Sequence, residues 1–189
     1  VSIEIPRRFY DVQQRAADIE AVDKERGTVL LRAAPYDVEA QIDRELWESF
    51  APKTFAAASK APHRTKLWNL HGGPLIGHAT DVEDRADGLW INACFSNTLN
   101  GQEARELASD GTLDQCSVTF RPQAEWMKVQ RRADGVHVRH SKAYLLGCAL
   151  VPHGAYDEGA YVASVRGADS ESIERAREAR KMRILAWNA

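Results

Sequence analysis

The stretch "WNLHGGPLIGHA" places His71 at the end of an apolar, strand-like run and directly before the turn residues Gly72, Gly73 and Pro74. Further along, "LDQCSVTFRP" alternates Cys116, Val118 and Phe120 with Ser117 and Thr119, so a strand here turns the serine away from the apolar row. A second histidine, His140, lies in the long late arm "GVHVRHSKAYLLG". These are the parts of a serine hydrolase. A free hydroxyl is a poor nucleophile, so an imidazole must take its proton and a third group must hold that imidazole in the right tautomer. Spacing alone does not join the three, and each residue type also serves as an ordinary structural hydrogen-bonding group.

Other chemistries find less support. "QCSVT" is not a Gly-x-Ser-x-Gly elbow, which removes the usual signature of the α/β-hydrolases. The six histidines include the neighbours His71 and His78, and His137 and His140. Strand residues three apart face opposite sides, so His137 and His140 are not expected to share an ion. With no Cys-x-x-Cys or His-Glu-x-x-His pattern, neither a metal nor a cofactor is expected. His78 and His153 read as structural.

The totals bound the classes further. A chain of 189 residues can bury a core without metals or disulfides. Its 25 Lys and Arg against 27 Asp and Glu give a net charge of -2, no footprint for nucleic acid or an anionic membrane surface. Cys94, Cys116 and Cys148 are odd in number, dispersed and set in apolar runs, as reduced core cysteines are. No apolar run approaches the roughly 20 residues that span a bilayer, and "VSIEIPRRFY" lacks the head and centre of a signal peptide. A soluble, cytosolic protein is expected.

The elements that must position these residues are mainly strands. "SIEIPRRFY" and "GTVLLRAAPY" read as two early strands, and "APKTFAAASKA" as a short helix with Pro52 in its first turn. "TKLWNL", "PLIGHATDVE" and "GLWINACFS" follow in hairpin-like succession. "LNGQEARELASDG" is a helix, with Ala104, Leu107 and Ala108 on one face and Gly111 as its stop. After the Ser117 strand, "EWMKVQRRADGVHVRHSKAYLLGCALVP" forms a hairpin about Ala133-Asp134-Gly135, its second arm unusually long. Near Gly167 the composition shifts to small and charged residues. The expected division is therefore a main domain over 1–166 and a charged helical tail over 167–189, with Glu171 and Glu174 early and Arg180, Lys181 and Arg183 late.

"KLWNLHGGPLIGHA" followed by "DGLWINACFSNTLNGQEARELASDGTLDQCSVTFRP" resembles the prohead serine proteases of tailed bacteriophages and prophages. In that family a histidine closes an apolar strand, a helix like "GQEARELASDG" leads into the next strand, and the nucleophilic serine precedes a Phe. The resemblance runs from about Gly27 to Tyr156. The stretch is also similar to assemblin, the herpesvirus capsid-maturation protease, whose catalytic histidine is followed by a Gly-His pair like Gly77-His78. The resemblance implies His71 as general base, Ser117 as nucleophile and His140, seven residues before Gly147, as third member. Many phage members carry a Glu before Val-Ser where this chain has Gly147-Cys148-Ala149. Assemblin has arginines near that point, whereas Cys148 offers only its main-chain N–H as an oxyanion donor.

The implied fold is α+β and mainly β: an antiparallel barrel-like core with a few flanking helices, assemblin-like, and a C-terminal helical tail. The implied function is a serine endopeptidase that cleaves phage capsid precursor and scaffold, and itself, inside the procapsid in the bacterial cytoplasm. On that reading Ala189 would be a product terminus. Its partners would be the major capsid protein precursor and a scaffold segment, with a homodimer allowed and neither nucleic acid nor membrane involved. The rival is a catalytically inactive homologue acting as a capsid-assembly or scaffold-binding module. A metal-dependent hydrolase would differ from both in its sensitivity to chelators.

Overall fold

A computed structural model describes residues 13–23, as backbone only, and 27–153. The strands are β1 (Gln13–Asp23), β2 (Thr28–Pro35), β3 (Ala40–Asp43), β4 (Leu46–Phe50), β5 (Lys66–Asn69), β6 (Leu75–Arg85), β7 (Gly88–Phe95), β8 (Gln115–Arg121), β9 (Met127–Arg132), β10 (Gly135–His140) and β11 (Tyr144–Val151). One α-helix, α1 (Leu99–Ser109), separates β7 from β8.

Seven strands close into a barrel in the order β1-β2-β7-β6-β5-β11-β8, with β1 also pairing β8. All neighbours are antiparallel except β5 and β11. The alternation read in the sequence selects the inward face: Val29, Leu31, Leu89, Ile91, Cys116, Val118, Phe120, Cys148 and Leu150 join one buried cluster. The remaining strands make a small sheet in the order β3-β4-β10-β9, whose β4 and β10 run parallel.

Helix α1 forms as its sequence dictates. The Thr98 hydroxyl caps it, accepting from the Gly101 N–H at 3.2 Å, and Gly111 leaves it at φ +82°. Gly101, Ala104 and Ala108 are its buried small residues.

Two expectations are corrected. "APKTFAAASKA" is not an α-helix but two 3-10 turns, Ala56–Lys60 and Pro62–Arg64. Ala61 precedes Pro62, whose ring disfavours a helical residue before it; Ala61 accordingly sits at φ -150°, ψ 63°, and helix cannot propagate. The long second arm is two strands in different sheets. His140 ends β10, the chain crosses over at Ser141 to Ala143, and β11 enters the barrel beside β5 and β8. Strands β1, β3 and β4 are not among those read from the sequence. The early strand in "SIEIPRRFY" and the helical tail over 167–189 lie outside the described residues.

Candidate functional site

Ser117 stands opposite Ala149 of β11, and Ala149 opposite Trp68 of β5. Residues paired in this way share a face of a sheet, and this face is not the core one. Its neighbours Cys116 and Val118 point into the main core, whereas Ala149 and Val151 form a separate cluster with Trp68. The polar face read for Ser117 from the sequence is thus the outer face of the barrel wall. Ser117 is nevertheless only 1% exposed, and its Oγ has no hydrogen-bond partner among the described residues.

His71 lies three residues beyond Trp68, in the loop from β5 to β6, and is exposed. That loop is held tightly. The N–H of Leu70 donates to the Leu150 carbonyl at 3.0 Å, and the Asn69 N–H to the Pro74 carbonyl at 3.0 Å. Leu70 has φ +61° and Gly72 φ +74°, so the histidine is framed by two left-handed residues. For leucine that conformation is strained, and it persists only where surrounding bonds impose it. Gly73 is required for space as well: a Cβ there would lie 1.7 Å from the Asn69 carbonyl oxygen. The Gly-Gly-Pro segment therefore fixes the position of His71, and only β11 separates β5 from β8.

His140 is placed elsewhere. Its ring is fully buried against Phe50 and Phe120, with centroids 5.5 and 5.2 Å away, and its Nε2 lies 2.8 Å from Glu48 Oε1. Phe120 projects from β8 on the face opposite to Ser117. The β8 backbone thus stands between the two, and the structure does not bring His140 to the serine. Its partner Glu48, fully buried, was missed because a charged residue within "RELWESF" gives no sign of burial.

The Cys148 main chain is also unsuited to the role foreseen for it. β11 pairs on both edges, with Leu67 and Val118 flanking Cys148, so its N–H is directed into a ladder rather than toward a substrate. Gly147 has its own reason to be glycine. A Cβ there would lie 2.0 Å from the Lys66 carbonyl oxygen and 2.4 Å from a carbon of the Trp68 ring. Lacking that room, the position accepts no side chain.

His137 stacks on Trp47 at 5.6 Å, with Nε2 3.0 Å from Asp134 and Nδ1 3.3 Å from Glu39. It borders a groove of about 560 Å³ on the small sheet, also lined by Asp37, Glu39, Lys128, Arg132 and Arg139. This groove holds neither Ser117 nor His71, and two ion pairs lie within it: Arg132 with Glu39 at 2.9 Å, Arg139 with Asp37. His78 sits across from Cys94, its ring 3.7 Å from the thiol, and His153 is exposed. All three cysteines are free. Among the described residues, no group of three His, Cys, Asp or Glu could hold a metal, and no helix is long and apolar enough to cross a membrane.

Comparison with known proteins gives three findings. The family model described as caudovirus prohead serine protease matches residues 16–175. Among solved structures, the bacteriophage T4 capsid assembly protease aligns with a TM-score of 0.48 and 8% identity, covering 75% of this chain and 99% of that one. None of the curated proteins compared by sequence matches the chain.

Proposed function

The chain belongs to the caudovirus prohead serine protease family, and on that premise we propose that it is an endopeptidase of procapsid maturation with Ser117 as nucleophile and His71 as general base. One observation carries this reading. Ser117 presents an unpartnered hydroxyl on the outer barrel face, one strand removed from the strained loop that fixes His71.

In this mechanism the Ser117 Oγ attacks the scissile carbonyl carbon while the His71 imidazole takes the hydroxyl proton. The imidazolium then gives that proton to the leaving amine as the peptide C–N bond breaks, leaving an acyl-serine. Water, deprotonated by the same imidazole, releases the acid and restores the hydroxyl. A hydroxyl at 1% exposure must first be uncovered, so an opening step precedes binding. The substrates in this reading are the capsid protein precursor and scaffold segments within the procapsid in the host cytoplasm, with self-cleavage beyond Gly167.

Incubation with the phage's own capsid precursor tests the reading. Cleavage should survive a chelator, vanish in Ser117→Ala and fall by about 10²–10⁴ in His71→Ala. Undiminished cleavage by Ser117→Ala would refute it. A non-catalytic assembly module is the second reading, favoured by the burial of Ser117; it predicts precursor binding without cleavage.

A further inference from the structure

Ser117 does not stand alone on its face of β8. Gln115 and Thr119 flank it at two residues on either side, so all three side chains project the same way. All are more than nine-tenths buried, at 7%, 1% and 6% exposure in chain order. Gln115 Oε1, Ser117 Oγ and Thr119 Oγ1 have no hydrogen-bond partner among the described residues. Buried polar atoms are nearly always paired, and a row of three orphans on one strand is a costly arrangement unless something else completes it.

The neighbouring strand keeps its side chains small beside Ser117 and Thr119. On the same face β11 presents Gly147 opposite Thr119 and Ala149 opposite Ser117, both with minimal side chains. The Trp68 ring, lying over Gly147, walls the far side. Alternate residues of a strand repeat every 6.6–6.8 Å or so, and an extended peptide has the same repeat. A peptide laid along β8 over Ser117 therefore meets polar atoms at matching intervals.

We infer that Gln115 and Thr119 are substrate-binding residues that hold the main chain of an extended peptide on either side of the scissile bond. Gln115 Oε1 accepts a peptide N–H, and the Thr119 hydroxyl donates to a peptide carbonyl. The inference rests on Ser117 being the nucleophile and adds the surface that aligns the peptide with it.

The test measures two quantities on the full chain: KM and kcat for a peptide spanning the cleavage site mapped in the capsid precursor, and the rate at which a small alkyl fluorophosphonate, which has no peptide to align, modifies Ser117. Thr119→Val and Gln115→Leu should each raise KM roughly 2- to 10-fold, the yield of one neutral hydrogen bond. Phosphonylation should change less than twofold, and Thr119→Ser should restore KM. If Thr119→Val does not fold, Thr119→Ala and Gln115→Leu carry the same comparison. Unchanged KM with normal labelling of Ser117 overturns this inference and leaves the nucleophile in place. Absence of both labelling and cleavage in the native chain overturns the nucleophile, and the inference with it.

Discussion

The Nε2 of His140 lies 2.8 Å from Oε1 of Glu48, and both side chains are fully buried. The pair joins adjacent parallel strands of the small sheet, while the imidazole packs on Phe120 of the barrel. The His140 carbonyl adds bonds from the Ala51 N–H at 2.8 Å and the Thr54 hydroxyl at 2.9 Å. His140, with Phe50 beside it, is thus one point at which the two sheets are fastened together. Breaking a buried pair by removing one partner is strongly destabilising, so His140→Ala should destabilise by about 3–5 kcal/mol in chemical denaturation. The double variant Glu48→Leu with His140→Phe should recover much of that loss. In the fraction that remains folded kcat should be close to native, whereas a third catalytic member would lower kcat in both variants.

The loop that carries His71 gives a different signature. Leu70→Gly relieves the left-handed strain at φ +61° and removes a side chain that is 46% exposed. The melting temperature should change little, because relief of strain offsets the added freedom of the unfolded chain. Activity should fall several-fold, since a glycine lets His71 wander. Leu70→Asn, which tolerates the same conformation, should retain more activity than Leu70→Gly.

Much of this arrangement was legible in the sequence, for a physical reason. Period-two alternation in "GTVLLRAAPY", "GLWINACFS" and "QCSVTF" reports which face meets the core, so these three barrel strands and the outward direction of Ser117 followed directly, whereas β1 did not. The helix at Leu99–Ser109 was equally marked by the spacing of Ala104, Leu107 and Ala108 and by Gly111. What alternation does not encode is partnership between distant strands. The parallel pairings of β5 with β11 and of β4 with β10 join residues some 80 to 90 positions apart, and they decide where His140 goes. "VRHSKAYLLG" therefore read as one arm when it is the end of one sheet and the start of another. The surroundings of the Cys148 N–H are hidden for the same reason, because only the pairing on both edges of β11 shows that it faces a neighbouring strand.

Tyr36 should set an alkaline limit. Burial, above all, and then the hydrogen bond from its hydroxyl to Asp84 at 2.6 Å push the phenol well above its ordinary value of 10.0. A group whose folded pKa is raised contributes its full stability below the unfolded pKa. The contribution is lost as pH climbs from about 10 toward the folded value, where the unfolded chain binds fewer protons. Native protein should lose stability above that pH more steeply than Tyr36→Phe, as followed by urea denaturation at a series of pH values.

The acid side depends on the small sheet. Burial alone would raise the Glu39 carboxyl, but the hydrogen bond from Arg132 and the nearby His137 ring outweigh it and hold Glu39 below its ordinary 4.5. The hydrogen bond from His137 chiefly holds Asp134 low as well. Folded pKa values that are depressed give stability above the unfolded range, lost as pH falls through them. Glu39→Gln should therefore make the acid limb of the stability profile shallower below about pH 4.5 and leave the limb above neutrality unchanged.

Mapping the site of covalent modification tests the nucleophile most directly. Native chain treated with a serine-directed phosphonate, digested and sequenced by mass spectrometry should carry the adduct on Ser117, with the rate cut by two or more orders of magnitude in His71→Ala. An adduct on another residue, or labelling of Ser117 that is indifferent to His71, would contradict the assignment of this hydroxyl and this imidazole as a catalytic pair.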